Sequence, residues 1–154
     1  MRTLRLLLPI ALITPAFVAG PAEASPSSFV ATMTAEEVQP LPGPPGAKGT
    51  AKIVADQEAQ KVCYKLTYDG PGPMTAAHIH RGEKGMTGPV TIPLDISADC
   101  VNPAPAEIKA LVDWPDGYYV EIHTIAYQQN GAVRGQTVPE GGGRPSSHQQ
   151  HHPH

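Results

Sequence analysis

The chain has 154 residues, with 11 Lys and Arg against 14 Asp and Glu, 18 prolines, 15 glycines and only 5% aromatic residues. That length suits one domain with one core, and the acidic balance excludes a nucleic-acid binder, which needs clustered Lys and Arg to displace counterions. Abundant proline and scarce aromatics favour short strands joined by turns over a helical bundle.

Residues 1–24 read as a cleavable secretory signal peptide. Arg2 and Arg5 form a basic start, Leu6 to Ala19 an apolar run, and Ala22-Glu23-Ala24 an A-x-A cleavage signal before Ser25. The run is shorter than the roughly 20 residues of a membrane span and is interrupted by Pro9 and Pro15, so no stable span is expected after cleavage. The expected location is secreted, periplasmic or extracellular. Losing Arg2, Arg5 and Glu23 leaves 9 basic and 13 acidic residues, a net charge of −4 with neutral histidines.

Residues 25–138 carry the patterning of a folded domain. Ser28 to Thr34 alternates as a first strand, and Pro40 to Gly49 is a Pro/Gly connector. Thr50 to Ala55 and Lys61 to Tyr68 follow as strands; in the latter Val62, Tyr64, Leu66 and Tyr68 share one face and Cys63 lies on the other. Asp69 to Pro73 breaks the chain before an extended Met74 to His80. Val90 to Leu94 is a short strand whose Pro89 and Pro93 suit a bulge or the margin of a sheet. Ala104 to Val112 is the one expected helix, with Asn102 as cap, Pro103 in the first turn and Glu107 near the positive end. Tyr118 to Tyr127 is a strand. Asn130-Gly131 signals a tight hairpin that pairs it with Ala132 to Val138. Seven or eight short strands with one short helix predict an all-β fold, an antiparallel Greek-key-like β-sandwich.

Residues 139–154 read as a disordered His-rich tail with little apolar surface to bury. His148, His151, His152 and His154 make it a candidate auxiliary metal-binding segment, though flexibility raises the ordering cost and compositional drift is the alternative.

Three stretches together are unusual: Glu37-Val38-Gln39-Pro40 with Gly49-Thr50-Ala51; Ala76-Ala77-His78-Ile79-His80-Arg81-Gly82 continuing to Gly85, Gly88 and Pro89-Val90; and Gly117 to Thr124 with the closing Gly131 to Gln136. In order and spacing over residues 29 to 138 they resemble the CHRD (chordin-type) domain family, in its bacterial-type secreted single-domain form. The resemblance implies a β-sandwich of secreted or surface proteins, and Cys63 and Cys100 match a cysteine pair common in bacterial members. It implies no activity, and the cysteine-rich modules of chordin are absent from this sequence.

Independently of the resemblance, an even cysteine pair in an exported domain points to a disulfide between Cys63 and Cys100, with a thiolate metal site or two free thiols as alternatives. Such a bridge removes about 4 kcal/mol of unfolded-state entropy in the chain-entropy model.

His78 and His80 lie two apart on an extended segment, so both imidazoles project from one face. Parity places Glu121 and His123 opposite Val120, Ile122 and Ala126. If the apolar faces point to the core, His78, His80 and His123 share an exterior sheet face. Three neutral imidazoles suit Cu(II) or Zn(II), and the resemblance includes all three as motif residues. Two readings stay open for them: metal ligands, or structural groups that satisfy carbonyls and Tyr or Glu partners. Arg134 is expected to form a structural ion pair with Glu121.

No Gly-x-Ser-x-Gly elbow, phosphate loop or His-Glu-x-x-His helix occurs, so no catalytic residue is assigned. The sequence therefore points to a non-enzymatic extracellular binding module whose partner is an undefined extracellular protein or surface ligand. A dismutase-like redox metalloenzyme and a purely structural or adhesion domain are the alternatives.

Overall fold

The computed structural model describes residues 25–141. The expected signal segment and His148, His151, His152 and His154 lie outside the described residues. Nine strands run β1 (Ser27–Thr34), β2 (Lys48–Asp56), β3 (Lys61–Asp69), β4 (Met74–Arg81), β5 (Val90–Leu94), β6 (Cys100–Val101), β7 (Tyr118–Thr124), β8 (Val133–Gln136) and β9 (Val138–Pro139), with helix α1 (Pro105–Asp113) between β6 and β7.

The all-β class with antiparallel pairing and one short helix is as expected. The strands form one hydrogen-bonded path, β5-β4-β7-β8-β1-β2-β3-β6, with β9 also on β1. Two four-stranded halves face each other as sandwich layers would, yet β1 stitches them together. It pairs fully with β2, and reaches the other half through Thr34 opposite Arg134 on β8 and through Phe29 and Val30 opposite Pro139 and Val138 on β9. The outermost strands β5 and β6 approach one another, so the sheet nearly closes into a barrel.

Alternation explains the core. Along β2, Gly49, Ala51, Ile53 and Ala55 are buried while their neighbours are exposed, and β1 contributes Phe29, Ala31 and Met33 to the same interior. Ile79 of β4 and Val120 and Ile122 of β7 are fully buried against them. Helix α1 inserts Ile108 and Leu111 and packs on β2, covering apolar side chains that the strands alone leave open. Each such burial is worth about 1.5–3 kcal/mol.

Cys63 and Cys100 are disulfide-bonded across β3 and β6, where they are direct cross-strand partners with Cα atoms 4.0 Å apart. The bond lies on the opposite face of β3 from buried Val62 and Tyr64, as alternation requires.

Several boundaries differ from expectation for identifiable reasons. The helix begins at Pro105 with Ala104 as an uncapped N-cap, because the Asn102 amide donates instead to the Gln60 carbonyl at 3.0 Å. β7 stops at Thr124, and Ile125–Tyr127 form a 3-10 turn that leaves Ala126 exposed rather than in the core. The β7–β8 connection is accordingly wider than a two-residue hairpin. Gly131 takes the positive φ of 81° there, and Ala132 N–H closes onto the Ile122 carbonyl at 2.7 Å. The last expected strand is split at Thr137, so β8 stays on β7 while β9 crosses to β1. Order therefore continues past Val138: Pro139 is in β9, and Glu140 N–H donates to the Ser28 carbonyl at 2.9 Å.

Candidate metal centre

The outward face of β4 and β7 is not exterior. Every residue of β7 is buried, on both faces. The expectation of an exposed histidine face is therefore corrected: two loops fold over it. The β4–β5 loop turns its carbonyls inward. Arg134 Nη2 donates to Met86 O at 2.6 Å and Glu83 O at 3.2 Å, and Gln136 Nε2 donates to Gly82 O at 2.8 Å. The β7–β8 connection covers the other end, where Gly131 sits so close to Glu121 that an added Cβ would lie 2.6 Å from its carboxyl carbon.

Register sets what meets beneath these loops. His78 is opposite Glu121, His80 opposite Tyr119, and small Ala76 opposite His123. That vacancy beside Ala76 lets the His123 ring lie 5.1 Å from the His78 ring, while the His78 and His80 rings are 5.7 Å apart. The structure thus brings His78, His80 and His123 into one group, with one candidate ligand atom from each lying within 4.8 Å of the others.

The hydrogen bonds orient the rings. His80 Nδ1 is 3.0 Å from Gly88 O and His123 Nδ1 is 3.3 Å from Tyr127 O. A carbonyl only accepts, so each Nδ1 carries the proton and each neutral ring presents a bare lone pair at Nε2. Those two Nε2 atoms, together with His78 Nδ1, are buried without a hydrogen-bond partner among the described residues. Buried polar atoms are ordinarily satisfied, so three imidazole nitrogens left open in one pocket need an explanation.

Electrostatics keep the rings neutral. Burial, reinforced by the His123 and His80 imidazoles, lowers His78 to about 4. Burial also lowers His80 and His123, against the opposing pull of their carbonyl partners. Glu121, with a side chain only 9% exposed, is raised to about 7 by burial, which outweighs the attraction of Arg134. Its Oε2 stands 3.7 Å from His80 Nε2 and 3.6 Å from His123 Nε2. With neutral imidazoles these are not ion pairs.

The expected Glu121–Arg134 ion pair does not form, although the two residues are direct cross-strand partners. The long guanidinium passes over the Tyr119 ring, 3.5 Å from its centroid, to reach the loop carbonyls. Tyr119 in turn stacks on His80 with ring centroids 4.8 Å apart. Tyr119 and Gln136 belong to the family-like stretches, but the sequence assigns neither a role at the site. Their signal was parity alone, since Tyr119 alternates with Glu121 and His123 and Gln136 with Arg134.

The family model that matches the chain is the CHRD domain, over residues 29–137. The chain belongs to the CHRD domain family. No curated protein and no solved structure matches it. The CHRD match spans all three histidines, Glu121 and Arg134, and both cysteines, so the cluster is part of the domain itself.

Proposed function

We propose that this CHRD domain is an exported, non-enzymatic binding module that holds one divalent d-block cation, Zn(II) or Cu(II), through His78, His80 and His123. The observation that carries the reading is the convergence of three neutral imidazoles, each with a buried nitrogen that has no hydrogen-bond partner among the described residues. Metal-ligating histidines commonly donate their other nitrogen to a carbonyl, which fixes tautomer and ring angle, and Gly88 O and Tyr127 O offer that arrangement here. Purely structural histidines would be expected to use both nitrogens.

Export is supported by the disulfide and by the signal-like N-terminus. Among the described residues no helix is long and apolar enough to cross a membrane. A binding role rather than turnover is supported by the cover over the cluster: the side chains of His80, His123 and Glu121 are 9–10% exposed, and closed sites are typical of structural metal centres.

The test is titration of Zn(II) and Cu(II) into the exported chain with His148, His151, His152 and His154 replaced by Ala, against the same chain carrying His80→Ala. The expected result is one equivalent bound by the first protein and at least a 100-fold loss of affinity in the second. Equal affinities, or no binding by either, would return the three histidines to a structural role.

A further inference from the structure

We infer that Glu121 is the fourth ligand of that cation, so that the complete shell is three imidazoles and one carboxylate. The inference rests on the metal-binding reading and deepens it.

The argument begins with what a carboxylate oxygen is doing 3.6 Å from one imidazole nitrogen and 3.7 Å from another. Both distances exceed a hydrogen bond, and the ring protons are already committed to Gly88 O and Tyr127 O. Once ionised, the carboxylate therefore turns oxygen lone pairs toward nitrogen lone pairs in a buried pocket, at separations that no shared proton bridges. Arg134, the cation the register offers, is engaged elsewhere by Met86 O, Glu83 O and the Tyr119 ring. Burying that negative charge is unfavourable, and a cation at the centre of the group would offset the cost by contacting oxygen and nitrogens together.

The spacing suits a metal ion. Ligand atoms about 2.05 Å from a tetrahedral centre are about 3.4 Å from one another. The two oxygen-to-nitrogen distances are within a few tenths of an ångström of that value, so Glu121 already stands at shell spacing from two of the imidazoles, while the histidines, within 4.8 Å of one another, would draw together around the ion. Gly131 secures the position, because any side chain there would push against the Glu121 carboxyl group.

Two consequences follow. A carboxylate beside three imidazoles is a hard, anionic addition that favours Zn(II) or Cu(II) over Cu(I). It also fills the position that a catalytic zinc leaves to water, making the centre a closed one.

The experiment uses Co(II) as a spectroscopic probe and Zn(II) competition for affinity, in the exported chain with the four tail histidines replaced by Ala. That protein is compared with its Glu121→Gln, Glu121→Asp and His80→Ala variants, each checked for folding by circular dichroism without metal. With Glu121 in the shell, the Co(II) absorption of the parent stays constant across neutral pH. In Glu121→Gln, water takes the vacated position and ionises near pH 7, so the spectrum acquires a pH transition and Zn(II) affinity falls about 100-fold. Glu121→Asp retains the carboxylate one methylene short and gives an intermediate affinity without the transition. If His80→Ala loses metal while Glu121→Gln matches the parent in affinity and spectrum, the carboxylate assignment fails and the three-histidine reading stands. If the parent itself binds no metal, both fail.

Discussion

The two faces of β7 are equally buried and chemically opposite. Val120 and Ile122 point into an apolar interior with Ile79, where close packing is the whole of their contribution. Tyr119, Glu121 and His123 point the other way into a second, polar interior roofed by loops. The first interior is made by strands and tolerates no polar atom without cost. The second is made by loop carbonyls, Arg134 and Gln136, and contains nitrogens that nothing among the described residues satisfies. One strand therefore contributes both to the apolar core and to the histidine group, separated only by parity.

Substitutions on the two faces should separate these roles, and the largest effect belongs to the apolar one. Ile122→Ala should cost about 2–5 kcal/mol in urea unfolding of metal-free protein, at every pH where the protein folds. A loss below about 1 kcal/mol would mean that the core relaxes around the cavity and that the two faces differ less than their packing implies.

On the polar face the sign depends on pH. Because the folded state raises Glu121 to about 7, the native protein binds its proton more tightly than the unfolded chain does. The wild type therefore loses stability relative to Glu121→Gln as pH rises from about 4.5 to 7, by about 3 kcal/mol in all, and the difference is constant above that range. The lowered His78 acts oppositely, losing stability as pH falls from about 6.5 towards about 4, but both proteins share it and it cancels in the comparison. The measurement is the difference in metal-free unfolding free energy at pH 4.5, 6 and 8, and a difference independent of pH would show that Glu121 is not desolvated as described.

Gly131→Ala probes the roof. A side chain at a φ of 81° is strained, and its Cβ would crowd the Glu121 carboxyl group, so a cost of about 1–3 kcal/mol is expected, together with weakened metal affinity. Thermal unfolding and Zn(II) competition measure the two parts, and unchanged affinity would detach Gly131 from the centre.

The smallest effect should come from a stop after Gly141, which keeps every strand and loop described above. The remaining sequence carries almost no apolar side chain, so the change in unfolding free energy should be below about 0.5 kcal/mol. A stop after Val138 should cost more, because Pro139 and Glu140 complete the contact of β9 with β1.

The apolar interior was legible in the sequence because alternation is local. Val62 and Tyr64 against Cys63, and Val120 and Ile122 against Glu121, have the same parity in the chain as in the fold. The histidine grouping was legible for the same reason, once β4 and β7 were neighbours. What alternation does not encode is the cover: Glu121 and His123 read as solvent-facing because nothing in Tyr118 to Thr124 states that the connection after it will fold back, with Gly131 against Glu121 and Tyr127 O against His123. Arg134 shows the same limit. Its register opposite Glu121 was readable, but the reach of a guanidinium to Met86 O, 48 residues away in the chain, is a tertiary fact. Where a cap or turn depended on a competing long-range partner, as for Asn102 with Gln60, local propensity also gave way.

The incomplete closure between β5 and β6 bears on how the molecule behaves at high concentration. Each terminal strand of the path is a template that an unguarded sheet offers to another chain. β5 contains Pro93, which has no N–H to offer, and β6 is only two residues long and is held to β3 by the disulfide at Cys100. A foreign strand arriving at either would find too few donors to continue the ladder, so these edges resist sheet-to-sheet aggregation without needing a charged guard.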